Sequence, residues 1–263
     1  MPSLSPPPEM VLDDVVVPAA VAALAGARPV RPVWRNVLGG LTFELTDSPR
    51  SFVKFAPKGT NLPLARETER LAWAARYTPV PQVLATGSDK SGIWLQTAAL
   101  TGVSAVHPDF LKNPGKAVTA IAEGLRALHD RLPVADCPYT WSVEDRLRNN
   151  TLDLSGAHPI HRELPADEAI KRANDPPPID RLVVCHGDSC APNTLIGPDG
   201  RWSGHVDLAD LGVADRWADL AVASWSLSWN YGDGWEDRFF AAYGIDPDPA
   251  RIAYYRLLWD LGG

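Results

Sequence analysis

Between Arg181 and Asp207 the chain carries two short apolar runs, Thr194-Leu-Ile196 and Trp202-Ser-Gly-His-Val206, on either side of a Gly197-Pro-Asp-Gly200 turn. Pro-Asp-Gly between β-prone runs predicts a hairpin. In such a hairpin the residue entering the first strand, Asn193, faces the residue leaving the second, Asp207. Just upstream, after the β-like run 181–185, lies Cys-His-Gly-Asp-Ser-Cys-Ala-Pro-Asn from Cys185 to Asn193. A loop that only had to turn needs Gly, Pro and one Asn or Asp, so this stretch is either an ordinary polar turn or the seat of chemistry. An amide oxygen and a carboxylate brought together by a hairpin suit Mg²⁺, which takes oxygen ligands. Asp188 is then left to accept a proton.

A second oddity sits in the N-terminal half. The runs VWRNVLGGLTFEL, SFVKF and GIWLQTAAL, from Val33 to Leu100, read as a small sheet with one helical interval at about Leu62 to Tyr77. That interval puts Leu64, Glu67 and Leu71 on one stripe, so a carboxylate shares the apolar face. Lys54 breaks an apolar strand pattern in the same region. Two readings stand on these residues alone: a buried ion pair, or two long side chains reaching water separately.

With 263 residues and 45% hydrophobic content, the chain can fill the core of two modest domains or one large one. A net charge of −7 argues against nucleic acid and anionic membranes as general partners and permits a cationic small molecule. Three cysteines without metal-ligand spacing suit free thiols in a reducing compartment. The start, MPSLSPPPEM, has no basic or apolar leader segment, and no apolar run is long enough to span a bilayer, so a cytoplasmic protein is expected.

After Leu100 the pattern turns helical. Asn113-Pro114 opens a segment in which Val118, Ile121, Leu125, Leu128 and Leu132 recur at helical spacing. Further helical patterns run from about Asp215 to Trp229 and from about Asp248 to Leu261. The expected organisation is a proline-rich lead-in over 1–20, frayed in its MPSLSPPPEM start, a nucleotide-binding lobe over 21–97, a hinge at 98–102 and a mostly helical lobe over 103–263.

The spacing Asp188-x-x-x-x-Asn193, with a further Asp after a hairpin, is that of the kinase catalytic loop and its metal-holding aspartate, and Lys54 with Glu67 supplies the other half of that pattern. HGDSCAPN followed by VDLADLGVADRWADLA resembles the aminoglycoside phosphotransferase family. TPVPQVL, DCPYT and the C-terminal YYRLLWDL are similar to its 3′-phosphotransferase branch. The likeness runs from about Val33 onward.

That resemblance implies a protein-kinase-like α+β fold, with a five-stranded antiparallel sheet and a helix in the first lobe and mostly helices in the second. It implies an enzyme that transfers the γ-phosphate of ATP or GTP to a hydroxyl of an aminoglycoside-like small molecule. Asp188 would be the base, and Asn193 and Asp207 would hold Mg²⁺. Lys54, paired with Glu67, would bind nucleotide phosphates. Phe52 would stack on the base or simply fill the core, and backbone groups from Ala98 to Leu100 would bond the base. His186 and Asp219 would brace the loop, Asp219 as a buried acceptor for its amides.

Three features depart from that branch. Gly39-Gly40 fits a phosphate cover and a plain hairpin equally well. Ala209-Asp210 replaces a glycine and a basic residue. The end, WDLGG, puts Trp259 where an acidic residue is expected, leaving Asp210, Asp260 and the terminal Gly263 to meet a cationic substrate. Trp225, Trp229, Tyr231 and Trp235 crowd the same half, as core packing or as faces for sugar rings and cations. Within this class the acceptor could instead be a different amino sugar, another natural product or a metabolite; two readings outside it are a nucleotide-binding regulatory module without turnover and a metallohydrolase built on His186, Asp188 and Asp207.

Overall fold

The computed structural model describes residues 12, 14–36, 38–148, 154 and 157–262. The described residues up to Leu100 form one compact unit and those from Thr101 a second.

The first unit is built on a five-stranded antiparallel sheet. Its strands are β1 (Val30–Arg35), β2 (Leu41–Leu45), β3 (Ser51–Pro57), β4 (Val83–Asp89) and β5 (Gly92–Ala98), in the order β1-β2-β3-β5-β4. Helix α1 (Ala19–Ala25) precedes the sheet and α2 (Leu64–Ala74) joins β3 to β4. Alternation along β2 and β3 sends Phe43, Leu45, Val53 and Phe55 to one side, where they cluster with Val21 and Ala25 of α1 and with Val15 and Val17. Within the lead-in, Val15 and Val17 pack on the sheet and Ala19 opens α1. The rest of that lead-in, 1–11 and Asp13, lies outside the described residues.

On the other side of the sheet Phe52 pairs with Glu44 and Thr97, and Lys54 with Thr42 and Leu95. Helix α2 buries Leu64, Glu67 and Leu71, as the spacing requires.

The second unit opens with β6 (Val103–Ser104), α3 (Pro108–Lys112) and α4 (Pro114–Arg131). It continues through α5 (Val143–Arg148), α6 (Pro159–Arg162), α7 (Ala166–Ala173), β7 (Leu182–Cys185), β8 (Thr194–Ile196), β9 (Trp202–His205) and β10 (Gly212–Asp215). Helices α8 (Trp217–Tyr231), α9 (Glu236–Tyr243) and α10 (Pro249–Leu261) complete it. Pro114 and Pro249 each occupy a first turn, where a missing N–H costs nothing, and Asp248 caps α10 by accepting from the amides of Ala250 and Arg251.

The apolar stripe of α4, with Val118, Ile121 and Leu125, packs with Trp217, Leu220 and Leu227 of α8 and Phe239, Phe240 and Tyr243 of α9. Two small sheets rest on this core. β7 pairs with β10, and β8 lies between β6 and β9. The loop between β7 and β8 carries the His-Gly-Asp motif.

Candidate active site

The loop from His186 to Asn193 owes its shape to a buried carboxylate. Asp219, on the first turn of α8 and fully buried, accepts from the amide of His186 at 2.6 Å (Oδ2) and from that of Gly187 at 3.0 Å (Oδ1). Ser189 Oγ adds a bond to the Asp219 carbonyl at 2.7 Å. Burial works to raise the pKa of Asp219, but its bonds to His129 and the loop amides outweigh that and hold it below the usual carboxylate range. His129 Nε2 donates to Asp219 Oδ2 at 3.0 Å, and its Nδ1 meets the Tyr243 hydroxyl at 2.8 Å. Sequence reasoning placed Asp219 correctly but missed His129, which stands inside the apolar stripe of α4.

Gly187 is dictated twice over. Its φ is +87°, and a Cβ there would lie 2.2 Å from the Asp210 carbonyl oxygen. His186 is an internal strut: Nε2 donates to the Val206 carbonyl at 3.0 Å, and Nδ1 accepts from the Asp188 amide at 3.3 Å. With both ring nitrogens engaged it is not a metal ligand, which removes the metallohydrolase reading.

Asp188 and Asn193 meet directly. Asn193 Nδ2 donates to the Asp188 carbonyl at 2.9 Å and to Asp188 Oδ2 at 3.0 Å. Both partners only accept, so the amide nitrogen must face Asp188, and Asn193 Oδ1 is turned the other way. The expected hairpin is present with a bulge, and its register sets Thr194 opposite His205. The Val206 amide accordingly donates to the Asn193 carbonyl at 3.0 Å. Asn193 thus faces Val206, and Asp207 is the next residue rather than its direct partner.

Asp207 is the one non-glycine residue with positive φ, +63°, among the described residues. Such strain persists where surrounding structure imposes it and concentrates at functional positions. Burial raises the pKa of Asp188, and the nearby charges of Asp207 and Asp210 push it the same way against the opposing pull of Cys190 and His186. Asn193 Oδ1 and the Asp207 carboxylate are oxygen donors, with the charge of Asp188 close to that of Asp207, which fits a hard divalent cation such as Mg²⁺.

In the first unit Lys54 Nζ donates to Glu67 Oε1 at 2.7 Å, and the side chains are 27% and 5% exposed. The two therefore pair rather than reaching water separately. Phe52 is half-buried, with the Arg50 guanidinium over its ring at 5.1 Å, so it is not a core phenylalanine. The Ala98 amide donates to the Gln82 carbonyl and that of Ala99 to the Arg50 carbonyl. The Gly39-Gly40 segment is a closed turn: Asn36 Oδ1 accepts from the amides of Leu38 and Gly40 at 3.0 and 2.8 Å.

The carboxylates expected to face a cation have other settings. Asp260 is buried and bonded to His161 Nδ1 at 2.5 Å and to the His158 amide at 3.2 Å, so it is not the open carboxylate that a cationic substrate needs. Asp210 is half-buried, and Arg146, a buried residue of α5, counters its charge. Burial pushes Arg146 down to about 10, with Asp210 acting in the opposite direction. Gly263 lies outside the described residues. Tyr231 donates to the Ala105 carbonyl at 2.7 Å and Trp235 packs on the core, so both serve packing. All three cysteines are free, and no helix among the described residues is long and apolar enough to cross a membrane.

Fold and loop together define a protein-kinase-like α+β architecture with a His-Gly-Asp catalytic-type loop, and the comparisons with known proteins agree. The chain belongs to the phosphotransferase enzyme family, whose match covers residues 35–255. It is 34% identical over 243 residues to the aminoglycoside 3′-phosphotransferase of Streptomyces fradiae, covering 84% of this chain and 90% of that protein. Among solved structures, an aminoglycoside 3′-phosphotransferase of type VIII superposes with a TM-score of 0.76 at 28% identity, over 92% of this chain and 97% of the other. An aminoglycoside phosphotransferase of Streptomyces rimosus, solved with ADP and streptomycin, gives 0.70 at 27% identity, over 92% and 96%.

Proposed function

We propose that the protein is a Mg²⁺-dependent kinase that transfers the γ-phosphate of ATP or GTP to a hydroxyl of an aminoglycoside-like small molecule. The observation that carries this reading is the Asn193 side chain, which holds the Asp188 carboxylate through Nδ2 and so turns Oδ1 away from it. One residue would thereby orient the base and offer an oxygen to the metal.

Asp188, its proton affinity raised by burial and by Asp207, is suited to orient the acceptor hydroxyl and take its proton. Asn193 and Asp207 would hold Mg²⁺, which supplies neutralisation of the phosphate charge when bound. Lys54, fixed by Glu67, would bind the nucleotide phosphates. Phe52 would stack on the base, while the Ala98 carbonyl and the Leu100 backbone would bond its edge. Most of the rate enhancement then comes from positioning and charge stabilisation.

The test is ADP release by the purified protein with Mg²⁺ and ATP, then GTP, against a panel of aminoglycosides, beside an Asp188→Ala control. Acceptor-dependent release that vanishes in the variant supports the reading. Nucleotide binding without transfer to any acceptor would favour a regulatory module instead.

A further inference from the structure

The sheet face that carries Lys54 also carries a row of side chains running across the strands. The register sets Arg31 of β1 opposite Glu44 of β2, Glu44 opposite Phe52 of β3, and Phe52 opposite Thr97 of β5. Lys54 stands two residues along β3 from Phe52 and therefore shares its face. The other face is the apolar one, with Phe43, Leu45, Val53 and Phe55.

Glu44 is the odd member of the row. Its side chain is 5% exposed, and a carboxylate so covered needs partners. Arg31 donates to its Oε2, and Arg50 donates through Nε to its Oε1. Burial works to raise the pKa of Glu44, but the bonds to the two guanidinium groups outweigh that and hold it below the usual carboxylate range. Arg31 alone matches the charge of Glu44. The second cation reaches further, since the Arg50 guanidinium lies over the Phe52 ring at 5.1 Å.

Arg50 is exposed, immediately precedes β3, and accepts through its carbonyl from the Ala99 amide at 3.1 Å. Its backbone is thereby tied to the segment 98–100, which would bond the edge of the base, and its side chain to the ring that would stack on the face of the base. A phenylalanine on an open sheet face can change rotamer, and a ligand that stacks on it must first immobilise it. A planar guanidinium anchored on a buried carboxylate covers one face of the ring and holds it in place. A ring has two faces, and Phe52 stays half-buried under this cover, which leaves surface for a planar base.

We infer that Arg50 is a positioning residue for the nucleotide: anchored on Glu44, its guanidinium holds the Phe52 ring ready as the platform on which the base stacks. This rests on the kinase reading and adds to its nucleotide site a residue that acts through Phe52.

The test measures binding of adenosine and of ADP with Mg²⁺ by calorimetry, and ADP release from ATP with neomycin as acceptor. Arg50→Ala removes an exposed side chain and keeps the backbone bond to Ala99. It should weaken adenosine and ADP alike by about three- to tenfold and raise the ATP KM by the same factor, with kcat and the acceptor KM within about twofold. Arg50→Lys keeps the charge without the flat cover, so most of the loss should remain. In a Phe52→Leu background, where the platform is gone, Arg50→Ala should change ADP affinity by less than about twofold. ADP binding that depends on Arg50 and Phe52 in this way, without transfer to any acceptor, keeps the inference and removes the kinase reading. A loss seen for ADP but not adenosine, or restored by lysine, overturns the inference and makes Arg50 a charge that draws phosphate. Tighter nucleotide binding by Arg50→Ala overturns it too, by putting the guanidinium where the base should lie, as does a loss that adds to that of Phe52→Leu. A wild-type protein that binds neither ADP nor adenosine removes the kinase reading and the inference together.

Discussion

The two halves of α8 contact surroundings of opposite chemistry. Its first turn offers Asp219, fully buried and saturated by the amides of His186 and Gly187 and by His129. Its last turns offer Trp225 and Trp229, which touch rings and leave part of Trp229 in water. Ser226, next to Trp225, bonds the Ala191 amide and so ties the second half to the same loop. The polar half works through a few bonds with specific partners, so one substitution breaks it outright. The aromatic half works through summed contact area, so substitutions there are graded. The His-Gly-Asp loop is thereby fixed as a rigid part.

The sharpest test of that division separates chemistry from bracing. Asp188→Asn should lower turnover by about 10²- to 10⁴-fold. Thermal stability in metal-free buffer should hold or rise. The folded protein raises the pKa of Asp188 through burial and the Asp207 charge, so the native state binds the proton more readily than the unfolded one. Ionised Asp188 therefore opposes folding at neutral pH, and removing its charge relieves that. A marked fall in melting temperature would make Asp188 a bracing residue and erase the distinction.

Asp219→Ala should do the reverse, costing stability first. It strands a buried imidazole and two buried amides, with a loss of about 3–5 kcal/mol in urea unfolding. Activity should fall with it. A variant with an unchanged unfolding midpoint and lost activity would mean that the loop stands without its carboxylate.

The same contrast sorts what could be read in the sequence. Lys54 and Glu67 announced themselves because each charge interrupts an apolar pattern, and the structure pairs them at 2.7 Å. The hairpin was legible from Gly197-Pro-Asp-Gly200, although the bulge that sets Asn193 opposite Val206 was not, because a register depends on how two strands twist together. Helix α1 escaped notice since seven residues of alanine, valine and leucine show no amphipathic period, and it is held by the sheet beneath it. Strand β4 is an edge strand with only half-buried and exposed positions, so it lacks the apolar alternation that marks a strand. Arg146 and the His161–Asp260 bond depend on residues 64 and 99 positions apart and have no local signature. Asp260 illustrates the cost: read as an open carboxylate, it is an internal partner.

Ser226→Ala probes the junction of the two halves. It leaves the buried Ala191 amide without its acceptor, a cost of about 1–3 kcal/mol. Because the bond positions the loop, kcat should fall more than the acceptor KM rises. An acceptor KM that moves while kcat stays would mean that the bond does not position the loop.

The smallest expected effect is a pH dependence from inside the core. His205, at the end of β9, is 2% exposed, and neither ring nitrogen has a partner among the described residues. Burial first, then the neighbouring His186 and His129, holds its pKa well below 6.5. The unfolded chain protonates this imidazole as pH falls through about 6.5, while the folded chain resists. Over that interval the unfolded state binds more protons, so stability falls as pH falls. Carboxylates add their own acid dependence at lower pH, which leaves the interval from about 6.5 to 5.5 as the diagnostic one. His205→Phe keeps the ring and leaves no new polar group unsatisfied, so it should flatten the melting-temperature slope there without touching kcat. His158, also held low, contributes a residual slope that His158→Asn removes. An unaltered slope in His205→Phe would mean that the imidazole is paired or hydrated in solution and that the acid sensitivity arises elsewhere.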